Sequence, residues 1–305
     1  MARKDLEQPA LEPENLALGV LYGGLAALAW GLAPVVMRFS VQHDMAPGDV
    51  VAVRFAVSGI LLLPVVLRRG SGGIGWLPCL LLTCGAGAPV LLITIIGLTM
   101  APAGHEGVIN ASCTLLFSAA GAWWLLHDRP DGTRLAGLAV IVLGIALIGW
   151  DSLSDFGLET LEGDLIFVGS GFLWAVYTLT ARVSGVQPLQ AAALVAVISS
   201  LFYLPLYLLF GEPGLLDVPA WEIAMVAVAQ GVLSGILAIL FYTRAIHMLG
   251  AGRAAVFNAM VPVLVLIIAY PTLGEVPTWL ELLGVAIVTL GMVAALGLLR
   301  ARRAE

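Results

Sequence analysis

Met100-Ala-Pro-Ala-Gly-His-Glu-Gly-Val-Ile-Asn-Ala111 recurs in weakened form as Met248-Leu-Gly-Ala-Gly-Arg-Ala-Ala-Val-Phe-Asn-Ala259, 148 residues further along a chain of 305. The shared frame is M-x-x-A-G-x-x-x-V-x-N-A. Each copy leads into an apolar run and sets one Asn early in that run. A side-chain amide inside a membrane helix is rare and unfavourable unless it finds a partner. Its appearance at equivalent places in two copies predicts an internally duplicated membrane protein whose working site lies between the copies.

Composition agrees. The chain is 60% hydrophobic and 11% charged, with a mean hydropathy of +1.02. Soluble domains carry roughly twice that share of charge. The net charge of −6 gives no basic surface for a nucleic acid. Cys79, Cys84 and Cys113 fall within apolar runs, in odd number and without zinc-site spacing, so they read as packing residues. No motif calls for a metal or a cofactor. Residues 1–15 carry mixed charges and few apolar side chains. They read as a solvated tail ahead of an uncleaved spanning helix.

A spanning helix needs about 20 mostly apolar residues. Ten such stretches are found, at 16–38, 50–68, 75–99, 105–126, 134–150, 163–181, 190–210, 221–244, 253–273 and 279–299. The fold class is therefore all-α, a polytopic membrane protein with ten transmembrane helices. With the N-terminus in the cytoplasm, twelve of the 14 Lys and Arg residues fall on the inner side, and only Arg38 and Arg54 fall outside. The positive-inside rule then predicts that both termini lie in the cytoplasm; the membrane expected is a bacterial inner membrane.

The duplication extends beyond the opening stretch. Trp30 and Arg38 match Trp174 and Arg182, each 144 residues on; Gly87 matches Gly235 at 148; Pro130, Gly137 and Gly144 match Pro277, Gly284 and Gly291 at 147. The divisions expected are a tail 1–15, a first five-helix repeat 16–150, a linker 151–162, a second repeat 163–299 and a basic tail 300–305. Five is odd, so the second repeat enters the membrane from the opposite side, and the repeats are inverted.

These features together resemble the drug/metabolite transporter superfamily, EamA type. The residues that carry the likeness are Ala-Leu-Ala-Trp-Gly at 27–31, Arg54-Phe55 in the second helix, and Gly274-Glu275-x-Pro277 followed by Gly284 and Gly291. The resemblance covers nearly the whole chain. It implies a secondary transporter with a central cavity lined by helices one, three, four, six, eight and nine, and it implies export. Two departures stand out. Thr114 occupies the position equivalent to Pro262, where the family often has proline, and His127-Asp128 replaces the first-half Gly-Glu.

Candidate site residues fall into four sets. Asn110 and Asn258 either line the cavity or tie helices together. Pro262 denies the Asn258 carbonyl its usual donor, Pro34 does the same for Trp30, and Thr114 is expected to bond back to the Asn110 carbonyl. Thr83, Gly87, Val90 and Thr94 share one helical face, with counterparts Gly231, Gly235, Ala238 and Tyr242 and with Gln230 beside them. This face is either close packing or, at Thr83, Gln230 and Tyr242, substrate contact. Trp30 and Trp174 lie mid-span, as core or as a wall that stacks on a ligand. Arg54, His105 and Glu106 lie at one level near the outer end, where Arg54 needs a partner in Glu106 or Asp49 and the set reads as a gate or coupling group.

No Asp or Glu lies near the middle of any helix, so a cavity of Trp, Tyr, Asn, Gln and Thr suits a small neutral or zwitterionic metabolite such as an amino acid. The reading is a transporter, not an enzyme, working as a monomer or homodimer in the lipid bilayer. The rivals are a structural or lipid-scrambling membrane protein and an intramembrane enzyme.

Overall fold

The computed structural model describes residues 13–211 and 214–296. The start of the expected N-terminal tail, the basic tail 300–305 and the end of the tenth span lie outside the described residues. The spans are α1 (Pro13–Gln42), α2 (Pro47–Arg69), α3 (Trp76–Met100), α4 (Ala103–Leu126), α5 (Gly132–Asp151), α6 (Leu158–Ser184), α7 (Pro188–Phe210), α8 (Ala220–Leu249), α9 (Ala251–Leu273) and α10 (Trp279–Ala295). Among the described residues nine helices are long and apolar enough to cross a membrane; the shorter α10, at 17 residues, is apolar but at the lower limit. Proline opens α2 and α7, where the missing N–H would have had no helical partner. Within the expected linker 151–162, a π-helical turn Ser152–Phe156 prolongs α5, and Gly157 at φ +94° breaks the chain direction before α6. That φ favours a residue without Cβ.

The packing has the symmetry expected of a duplication. α4 lies on α6 as α9 lies on α1; α3 lies on α6 as α8 lies on α1; α2 pairs with α7 and α5 with α10. Exchanging the first five helices for the last five maps this set onto itself. The α5–α10 seam shows what the repeated glycines do. A Cβ on Gly144 would lie 2.6 Å from Val288 Cγ2 and 3.1 Å from the Gly284 carbonyl oxygen, while one on Gly291 would lie 2.8 Å from Ile141 Cγ1 and 2.9 Å from the Gly137 carbonyl oxygen. The backbones approach so closely because neither helix has side chains there. Lipid tails are as apolar as leucine, so such packing is a main source of helix association in a bilayer.

Two helices are interrupted at equivalent places. α3 breaks at Gly87, with Pro89 in the next turn. The Gly87 N–H donates to the Thr83 carbonyl at 2.8 Å, and the Ala88 N–H to Ser199 Oγ of α7 at 3.1 Å. The freed backbone is thus satisfied inside protein, as a low-dielectric setting demands. The matching stretch of α8, Ala227–Leu237, is π-helical and contains Gly235. Such widened turns recur near functional sites.

Candidate functional site

Between the two halves lies a cavity of about 520 Å³. Its walls come from α1 (Trp30, Ala33, Pro34, Met37), α2 (Arg54, Phe55, Ser58), α3 (Ala86, Leu91, Thr94), α4 (Glu106, Asn110), α6 (Trp174, Tyr177, Thr178), α7 (Ala192, Val195), α8 (Ser234, Tyr242, Thr243, Ile246) and α9 (Asn258, Val261). The helices named by the resemblance all contribute. So do α2 and α7, which it omitted.

Asn110 and Asn258 both reach the cavity, in different settings. Asn110 Nδ2 donates to Glu106 Oε1 at 3.0 Å and to Ser170 Oγ of α6 at 2.9 Å. Its amide both borders the cavity and ties α4 to α6. Asn258 is exposed, and its Nδ2 donates to the Tyr242 hydroxyl at 3.1 Å. Thr114 lies outside the lining, and its hydroxyl donates to the Asn110 side-chain oxygen at 3.4 Å and to the Gly171 carbonyl at 3.3 Å. The expected bond to the Asn110 main chain is replaced by these contacts, because α6 approaches closely at Gly171, where a Cβ would lie 2.6 Å from Cys113 Cβ.

Two aromatic walls face the space. Trp30 meets Tyr242 edge-on at 5.3 Å between centroids, and Trp174 meets Tyr177 at 5.6 Å. Tyr177, three residues after Trp174, was missed in the sequence, although that spacing keeps two residues on one helical face.

The charged set divides. Arg54 and Glu106 both line the cavity. They do not form an ion pair here. Arg54 Nη1 donates instead to Gln230 Oε1 at 2.8 Å, with the guanidinium carbon 5.7 Å from the Phe55 ring centre. The alternative partner, Asp49, is taken by the Tyr207 hydroxyl. Gln230 is fully buried behind the wall, where its Nε2 donates to the Ala33 carbonyl at 2.6 Å. It positions Arg54 and does not face the cavity. His105 is also fully buried and turns away, with Nδ1 3.0 Å from Asp164 Oδ1 of α6 and 3.3 Å from Ser152 Oγ. Thr83 is buried, and its hydroxyl donates to the Cys79 carbonyl at 2.8 Å, away from the cavity. No group of three or more His, Cys, Asp or Glu among the described residues is disposed to hold a metal ion.

The cavity is asymmetric along the bundle axis. It extends to Pro188, the first residue of α7, and to Ile246 in the last turn of α8. This is the end where Arg182 lies. At the other end, where Arg38 lies, the helices meet. Arg38 Nε donates to Glu275 Oε1 at 2.9 Å and Nη1 to the Leu98 carbonyl, while Glu275 Oε2 accepts the Ala103 N–H at 3.0 Å.

Ten apolar helices in two inverted halves, with a solute-sized, mainly apolar cavity at their seam that a few polar side chains border, define a polytopic membrane protein built to surround a small molecule. The chain belongs to the EamA-like transporter family, whose model matches it twice, over residues 17–150 and 161–297. An "Uncharacterized transporter" of Archaeoglobus fulgidus is 22% identical over 276 residues, covering 88% of this chain and 93% of that protein. The "Probable amino-acid metabolite efflux pump" of Salmonella typhimurium is 25% identical over 289 residues, covering 88% and 91%. A crystal structure at 22% identity shares the fold with a TM-score of 0.62, over 95% of this chain and 99% of that one.

Proposed function

We propose that this family member is a secondary transporter for small zwitterionic metabolites of the amino-acid type. It carries them across a bacterial inner membrane by alternating access, in the direction of efflux, with both termini in the cytoplasm. One observation carries the reading: Arg54 and Glu106 both border the cavity and are not paired with each other. A zwitterion brings one charge of each sign and meets both groups without leaving a net charge at membrane depth, where an unpaired charge is costly. The Trp30 and Trp174 faces suit the apolar part of such a solute. The volume falls in the range of about 300–1,000 Å³ typical of small-molecule sites. The name of the Salmonella relative supports the substrate class and the direction. One chain lines the cavity, which suits a carrier that works as a monomer or as a homodimer with one cavity in each protomer.

The test is uptake into liposomes carrying the purified protein, preloaded with unlabelled solute, across a panel of amino acids, nucleosides and organic cations. Saturable exchange of amino acids, absent from empty liposomes, is the expected result. Exchange confined to organic cations or nucleosides overturns the substrate class. Movement of lipid with no solute exchange overturns transport altogether.

A further inference from the structure

The two repeats carry the same ion pair at opposite ends of the bundle, in unequal states of engagement. Arg38 and Arg182 are equivalent, 144 residues apart. Their partners Glu275 and Asp128 are equivalent at 147, and each follows a left-handed helix C-cap, Gly274 at φ +68° and His127 at φ +56°. At the first end, the Arg38–Glu275 side chains are 18% exposed each, and they also grip the Leu98 carbonyl and the Ala103 N–H. One pair thus bolts α1, the last turn of α3, the start of α4 and the α9–α10 turn together. At the second end, Arg182 Nη2 meets Asp128 Oδ2 at 3.0 Å with side chains 55% and 37% exposed, and Asp128 otherwise has Arg134 at 4.0 Å.

The residues equivalent to Leu98 and Ala103 are Ile246 and Ala251, each 148 positions on. Ile246 borders the cavity instead of meeting Arg182. Helix packing repeats the asymmetry: α1 rests on the second half of α3 and on α4, while α6 makes no approach of comparable extent to α8 or α9. Inverted repeats exchange conformations when such a protein changes the side to which it opens. The contacts of one end are then the template for the other end in the opposite state.

We propose that Arg38–Glu275 and Arg182–Asp128 are alternating gates of the cavity. The first is locked onto its backbone partners here. The second is already paired side chain to side chain and locks when α6 closes onto α8 and α9, with Arg182 on the Ile246 carbonyl and Asp128 accepting the Ala251 N–H. The proposal rests on the alternating-access reading but not on the identity of the solute. Two sequence differences make the gates unequal. Pro102 has no N–H, so nothing in its own helix competes with Arg38 for the Leu98 carbonyl. Its counterpart Gly250 donates to the Ile246 carbonyl at 2.9 Å. Asp128 is also one methylene shorter than Glu275. The first gate is therefore the stronger, and the conformation closed at the Arg38 end is the resting one.

The experiment uses the full chain in oriented liposomes, with Cys79, Cys84 and Cys113 replaced by alanine and one reporter, Thr94→Cys or Thr243→Cys, both on the cavity wall. The rate of modification by a membrane-impermeant maleimide is measured from each side, without substrate. Arg38→Gln is expected to speed labelling of the Thr94 reporter from the Arg38 side and slow labelling of the Thr243 reporter from the Arg182 side. Each change should be on the order of tenfold, the factor that goes with one charge-assisted hydrogen bond. Glu275→Gln should do the same, and serves if Arg38→Gln is poorly expressed. Arg182→Gln should leave the cavity at least as closed at the Arg38 end. Changes of the same sign for Arg38→Gln and Arg182→Gln, or no change for Arg38→Gln and Glu275→Gln, overturn the proposal. A failure to find a transported amino acid leaves this readout untouched and bears only on the substrate class.

Discussion

Arg54 of α2 is held by Gln230 of α8, Nη1 to Oε1 at 2.8 Å, and the same amide donates to the Ala33 carbonyl of α1 at 2.6 Å. One buried glutamine therefore fixes the cavity's cation and joins three helices. Glu106, left without Arg54, accepts the Asn110 amide at 3.0 Å.

Gln230→Leu keeps the bulk and removes both bonds. It leaves part of a guanidinium unmatched, and the expected loss of stability is about 1.5–3 kcal/mol, the range for hydrogen bonds to charged groups. Adding Arg54→Leu to that variant should restore part of the loss, because the stranded charge is then gone. Thermal unfolding of the purified single and double variants measures this. A double variant no more stable than Gln230→Leu would mean that Gln230 acts independently of Arg54.

The α5–α10 seam gives a second expectation. Gly144→Ala places a methyl 2.6 Å from Val288 Cγ2, so the two helices must part. Overpacking of this kind costs about 1–3 kcal/mol. Gly149→Ala, on the same helix with nothing within 4 Å of the new Cβ, should be neutral. The comparison is the yield of folded protein and its melting temperature, and equal behaviour of the two variants would contradict the account of the repeated glycines.

Much of this was legible in the sequence, and the failures have physical causes. The ten apolar runs and the spaced glycines report burial and close approach directly, so they survive in a single sequence. Arg38 with Arg182, and Glu275 with Asp128, were visible as equivalent positions. That each Arg meets its acid depends on how α1 crosses the α9–α10 turn, and tertiary packing decides that. His105 and Glu106 read as one set in the sequence, but adjacent helical residues point about 100° apart. Glu106 consequently faces the cavity while His105 faces Asp164. The stripe from Thr83 to Thr94 assumed one continuous helix. The break at Gly87 rotates the face, leaving Thr94 on the wall and Thr83 off it. Ala192 and Val195 of α7 line the cavity with no polar group to mark them.

The central claim is that the cavity between the repeats is where the solute binds, and Asn258 tests it most directly. Its amide borders the space and, among the described residues, bonds to Tyr242, whereas Asn110 also ties α4 to α6 and its loss would mix stability with binding. Asn258→Leu leaves a polar group of the solute unmatched, a penalty of about 1–3 kcal/mol, which is roughly a 5- to 150-fold loss of affinity. The measurement is concentration-dependent amino-acid exchange in liposomes, normalised to folded protein. A melting temperature near that of the unsubstituted protein with affinity reduced in that range is the predicted result. Unchanged affinity in Asn258→Leu would contradict the assignment of this cavity as the binding site.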